Sequence, residues 1–317
     1  MSPEASRSGP RLRIALSLLL LLQAAGPWLP PSWLWGLNHL AWQAWPWRLA
    51  LPAIGLLAVW CPSSPGRDRA LVTTLDRWLT GNRAVVYGVL PVLTVAIGWL
   101  LRDRTHLLGD GQTLAVALTQ GQLFHGFDFM TYHLIARIHE LAGGSDKATA
   151  FQVFAAVSLA CGAAYIAVAG WAARQLGQAP EARLLLFGLL VLAAPVRLFC
   201  GYAEVYGPLA VALLAFAVAL VLYWRSRLQL VRVGQIWAVA LFWHLNALFL
   251  LPLLLAAVLW PPPRTATPVI RRLVQALWPA LAALGLAFLA YLAAGYDPAG
   301  IAAEFAHVGD GRGILVP

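Results

Sequence analysis

Asp110 stands between Gly109 and Gly111 in the longest polar stretch of an otherwise oily chain. Glycine on both sides lets the backbone turn tightly and leaves the carboxylate accessible. A carboxylate so placed can take the proton of a substrate hydroxyl or bind a metal, and it can equally cap the helix that follows. The same stretch holds Asp128 with His125 and His133. Imidazoles and carboxylates are metal-ligand types, but this spacing fits no tight ligand motif, and solvated loop residues fit it too. A divalent metal on Asp110 and Asp128 is the one cofactor these residues admit. Farther on, Arg197 and Glu204 bracket a turn that ends in Tyr206. A guanidinium offers forked donors to phosphate oxygens, with Glu204 orienting it or an acceptor; the same pair also suits a snorkelling arginine held locally by Glu204. His244, two residues before Asn246, interrupts an apolar run, where it can meet the same headgroup or pack with one hydrogen bond.

These residues must be positioned by elements that live in lipid. The chain has 317 residues, 61% hydrophobic and 11% charged, with a mean hydropathy of +0.73. Backbone groups cannot stay unpaired in hydrocarbon, and the apolar runs exceed barrel-strand length, so the spans are helices. The fold class is all-α, a polytopic transmembrane helical bundle. Apolar segments fall near 14–34, 48–61, 84–101, 149–172, 184–199, 205–223, 235–260 and 273–295. With the amino end in the cytoplasm and 235–260 folded as a hairpin of two short helices, about nine crossings put most basic residues inside. His244 and Asn246 then sit at the hairpin turn, in a polar cavity. One long tilted helix, with the later orientation reversed, is the alternative.

In the hairpin topology all seven histidines and most acids lie outside, which makes that side the functional candidate. The outer loop 102–148 carries two amphipathic pieces, 112–120 and 130–141, suited to helices lying along the membrane surface. The organisation is therefore 1–83, amino-terminal spans and a cytoplasmic basic loop; 84–260, the core with its outer loop; and 261–317, a last span and outer segment.

Several classes drop out. The net charge of +9 comes from arginines scattered between apolar runs, not from a basic face, so nucleic acid is not a partner. Cys61, Cys161 and Cys200 lie far apart and read as packing residues. Arg7, Arg11 and Arg13 before an apolar run admit a cleaved signal peptide, but the run continues through Trp28 to Trp35, which favours a retained span. Tryptophans crowded between Trp28 and Trp47 fit an interfacial belt.

The layout resembles the type-C glycosyltransferases. The likeness rests on the basic amino end, the acid near the start of an outer loop (Gly109-Asp110-Gly111), and Ala117-Leu118 followed by Gly121. Phe127-Asp128-Phe129, Tyr132-His133-Leu134 and Gly201-Tyr202-Ala-Glu204-Val-Tyr206 are similar to elements of bacterial members, over roughly 84–260. The resemblance implies an enzyme moving a sugar from a polyprenyl-phosphate carrier to a cell-envelope glycan, lipid or protein, on the outer face of a bacterial inner membrane. It implies Asp110 as general base, inverting in-line transfer, and a cation from Arg197, Arg102 or Arg104 on the leaving phosphate. Asp128, His133, Tyr202, Glu204 and His244 complete the substrate-binding set. Two departures stand out: the acidic loop follows the third apolar run instead of the first, and Asp110 lacks an adjacent second acid. The close at Ile314 to Pro317 reads as a truncation, because type-C enzymes usually continue. Rival readings are a lipid or small-solute transporter, or flippase, and a non-catalytic membrane subunit; scarce charge at mid-span and the lack of an inverted repeat weigh against the transporter.

Overall fold

The computed structural model describes residues 14, 16–22, 24–28, 45–60, 65–102, 110–123, 128–192, 201–262 and 266–295. Among the described residues the elements are all helical and there is no strand, as lipid solvent demands. The chain divides into two compact units, Met1–Ala70 and Leu71–Pro317. The first unit contains α1 (Trp45–Trp60), a 16-residue helix with Pro52 inside it. Its end is tied by Trp60 Nε1 donating to Ser17 Oγ at 2.9 Å.

The basic segment before residue 84 is helical. α2 (Pro65–Asp76) runs into a π-helical turn, Arg77–Gly81. Asn82 then receives the N–H of Ala84 on its side chain at 3.0 Å, and the chain restarts through Val85–Val89 into α3 (Leu90–Leu101). The two halves meet at 59°. Asp76 fixes the bend: it is buried, takes the Thr80 hydroxyl, and receives Arg183 Nε at 2.9 Å. A carboxylate paired this way cannot be left facing lipid, so the helix closes around it.

The remaining helices are α4 (Gly111–Thr119), α5 (Phe129–Leu141), α6 (Lys147–Leu176), α7 (Pro180–Val191), α8 (Gly207–Trp224), α9 (Leu230–Trp243), α10 (Leu251–Leu259) and α11 (Val269–Ala293). Among the described residues only α6, α8 and α11 are long and apolar enough to cross a membrane, and the bent pair around Asn82 makes a fourth if it counts as one span. The nine crossings expected from hydropathy are thus not supported among the described residues. Trp45–Trp60, with Pro52 inside it, and the helices on either side of His244 are shorter than the roughly 20 residues a bilayer needs. The tail 296–317, with Asp297, Glu304, His307 and Asp310, lies outside the described residues.

The hairpin is present. α9 ends at His244, which stacks on Tyr206 just before α8, and a 3₁₀ helix (Leu245–Leu250) leads into α10. α10 returns to the opposite end of α8, where Tyr223 donates to the Ala257 carbonyl at 3.2 Å and Trp224 to that of Trp260 at 3.2 Å. Trp237 Nε1 closes the fold by donating to the Ala247 carbonyl at 2.8 Å. Small residues allow close crossing: a Cβ on Gly234 would stand 2.4 Å from the Ala276 carbonyl oxygen of α11.

Candidate functional site

Both amphipathic pieces of the polar stretch fold as helices, within about two residues of where periodicity puts them. Apolar residues of both pack inside the protein. Leu114, Ala115 and Leu118 of α4 and Tyr132, Ile135 and Ala136 of α5 bury themselves against Ala150, Val153 and Phe154 of α6. Tyr132 donates to the Leu114 carbonyl at 3.2 Å, fixing the two helices to each other. A hydrophobic stripe covers whichever apolar surface is nearest, and here α6 supplies it.

The same core takes in the turn 201–206. Ala203 and Val205 point into it, and the residue between them, Glu204, is left half-buried beside the start of α4. Gly111 makes this approach possible: a Cβ there would lie 2.5 Å from the Ala203 carbonyl oxygen. Gly201 has φ +78°, and a Cβ on it would press within 2.6 Å of Arg102 Cβ. Glycine is therefore required on both sides of the contact, once for space and once for a left-handed backbone.

Glu204 lies within electrostatic range of two other acids, Asp110 and Asp128. The Asp110 carbonyl opens α4 by accepting the Leu114 N–H at 2.9 Å, yet its exposed carboxylate makes no capping bond, which removes the N-cap reading. Asp128, buried, begins α5. Burial pushes the Glu204 carboxyl up to about 7, the negative charges of Asp110 and Asp128 push the same way, and the Asp110 N–H donating to Glu204 opposes them. Glu204 is thus a group that exchanges a proton near neutral pH. Burial also raises the Tyr206 phenol, helped by Glu204, so it stays protonated.

Tyr206 is the residue that sequence reasoning left out of the site. Its ring stacks on His244 at 5.1 Å with 20° between planes, carrying the carboxylate cluster over to the hairpin turn. The signal was its position two residues after Glu204 and directly before Gly207-Pro208, where a helix starts. His244 is buried, and its Nδ1 accepts the Asn246 N–H at 3.2 Å. Tyr202 is buried in the same turn.

The other expected ligands are dispersed. His133 Nδ1 faces the Leu123 carbonyl at 3.2 Å, and burial lowers its proton affinity. Arg102 stays at the end of α3, its Nη1 donating to the Trp99 carbonyl at 2.7 Å and its guanidinium 4.1 Å above the Trp99 ring, although its stem touches the turn at Gly201. Arg104, His125 and Arg197 lie outside the described residues. Among the described residues no three His, Cys, Asp or Glu side chains converge as a metal site.

An apolar groove of about 500 Å³ lies between α5, α6, α8 and α9. Leu134, Val157, Pro208 and Trp243 line it; Pro208 is two residues after Tyr206 and Trp243 directly precedes His244. Two of its walls, α6 and α8, are candidate spans. No family model, curated protein or solved structure matches the chain.

Proposed function

We propose that the chain is a membrane glycosyltransferase of the type-C kind, moving a sugar from a polyprenyl-phosphate carrier to a cell-envelope glycan, lipid or protein on the extracytoplasmic side. The observation that supports this reading is the apolar groove walled by two candidate spans, whose Pro208 stands four residues after Glu204 in the chain. An isoprenoid tail needs a greasy slot between membrane helices, while its phosphate-sugar head needs polar groups at the slot's end.

In this reading Asp110 is the general base. The acceptor hydroxyl attacks the anomeric carbon opposite the phosphate, its proton passes to Asp110, and the sugar–oxygen bond breaks with the electron pair leaving on the carrier phosphate. Glu204, titrating near neutral pH, takes the proton on from Asp110 and releases it to water, which resets the base. Asp128 keeps the proton affinity of Glu204 high, Tyr206 and His244 form the floor under the sugar, and Arg102 or Arg197 meets the departing charge. The finer topology belongs to the same proposal: about nine crossings, with the loop 102–148 outside a bacterial inner membrane.

The test is transfer from a panel of radiolabelled polyprenyl-phosphate sugars, using membranes that hold the full-length chain, its Asp110→Asn variant or its Glu204→Gln variant. Transfer by the parent that falls at least about a hundredfold in Asp110→Asn, with expression unchanged, supports the proposal. Transfer that survives in Asp110→Asn and vanishes in Glu204→Gln moves the base to Glu204. No transfer from any donor overturns the enzyme reading in favour of a carrier or subunit.

A further inference from the structure

A second cavity lies at the other end of α8, far along the chain from the carboxylates. It measures about 710 Å³ and is lined by residues of the α8–α9 turn, the first turn of α9, Pro262, Thr267 and the start of α11. Its polar lining consists of Tyr223, Ser226, Gln229, Thr267, Arg272 and Gln275, and no acid is among the lining residues.

Arg272 is the unusual member. It is only 7% exposed, and its Nε and Nη1 are buried without a hydrogen-bond partner. The guanidinium does touch the Tyr223 hydroxyl, but Tyr223 is neutral and already donates to the Ala257 carbonyl. A buried guanidinium with open donors and no counter-charge among the described residues is costly, and a bound anion offsets that cost.

A second feature points to the same ligand. Gln229, Leu230 and Val231 line the cavity as the N-cap and first turn of the 14-residue α9, and Gln229 makes no side-chain cap bond. Backbone N–H groups of a helix start attract negative charge, and phosphate most of all. Around this end Arg225 and Arg227 hold the carbonyls of Leu176 and Gln175, which adds positive field without filling the cavity. Leu228, Leu230, Val231 and Pro262 give the rest of the space an apolar wall.

We infer that this cavity is a binding site for a phosphate-bearing organic ligand, whose oxyanion pairs with Arg272 and the first turn of α9 while its organic body fills the apolar part. A soluble phosphate ester and the headgroup of an anionic lipid share this chemistry. The inference stands apart from the glycosyltransferase reading, since it uses none of the same residues.

The experiment is thermal unfolding of the full-length chain in nanodiscs. One arm adds glycerol 3-phosphate to phosphatidylcholine discs; the other replaces a share of the phosphatidylcholine with phosphatidic acid. Each arm is run on the parent, on Arg272→Gln and on Gln229→Glu, an exposed-rim change that puts a negative charge in the ligand's place. A rise in Tm for the parent in either arm, reduced in both variants by the equivalent of a tenfold or greater loss of affinity, supports the site, and the arm that responds names the source. No rise in either arm, or the same rise in both variants, overturns it. Should Arg272→Gln fail to fold, Gln229→Glu alone decides between these outcomes.

Discussion

The ring of Tyr206 lies 5.1 Å from that of His244, with 20° between their planes, and this stack joins two segments that neither share a helix nor adjoin in sequence. It holds the turn carrying Glu204 against the break between α9 and the 3₁₀ helix. Tyr206→Ala is expected to lower stability by about 1 kcal/mol and to reduce transfer activity, whereas Tyr206→Phe keeps the ring and restores both. Unfolding curves and transfer rates of the two variants check this; equal behaviour of Phe and Ala would show that the stack does not position the site.

The pH dependence of stability follows from Glu204. Its folded value, about 7, lies above its ordinary 4.5, so the folded chain holds this proton more tightly than the unfolded one. The resulting stabilisation is complete below about 4.5 and is lost as pH rises through about 7. Glu204→Gln is neutral throughout, so its Tm gains on that of the parent across this window. Parallel Tm curves for the two proteins between pH 4.5 and 8 would refute the assignment.

Gly111→Ala tests the approach of α4 to the turn. Its Cβ would stand 2.5 Å from the Ala203 carbonyl oxygen and 3.0 Å from Ala203 Cβ, and the backbone oxygen cannot swing away. The start of α4 must shift, which costs about 1–3 kcal/mol and separates Asp110 from Glu204. Gly88→Ala, where nothing lies within 4 Å, serves as control and is expected to leave both Tm and activity near the parent values.

Asp76 and Arg183 clamp the bend between α2 and α3. Their side chains are 7% and 27% exposed, so Asp76→Asn leaves a cation in poor solvent and is expected to cost on the order of 2 kcal/mol. Adding Arg183→Gln recovers part of that loss. A double-variant cycle by chemical or thermal unfolding measures the coupling, and purely additive losses would show that the pair is not what holds the bend.

The sequence by itself determined the all-helical class, the two short helices of the polar stretch, and the out-and-back path of the chain around His244. Each of these follows from a local rule: hydrocarbon forces internal hydrogen bonding, amphipathic spacing repeats with the helical turn, and arginines on both flanks of a long apolar run oppose a single crossing. Asp110, Asp128, Glu204 and His244 were also legible as residue types suited to chemistry. Tertiary structure alone decided the rest. Hydropathy registers how apolar a run is, not whether it stays straight, so it does not foresee the 59° break around Asn82. It could not tell that α4 and α5 set apolar residues against α6, since protein and lipid offer the same apolar surface to a hydrophobic stripe. Nor could it raise Glu204 above the other acids or separate Arg272 from the topology-setting arginines. A group's proton affinity and its unmet hydrogen bonds depend on how much water and which charges surround it, and those are fixed only when distant helices pack together.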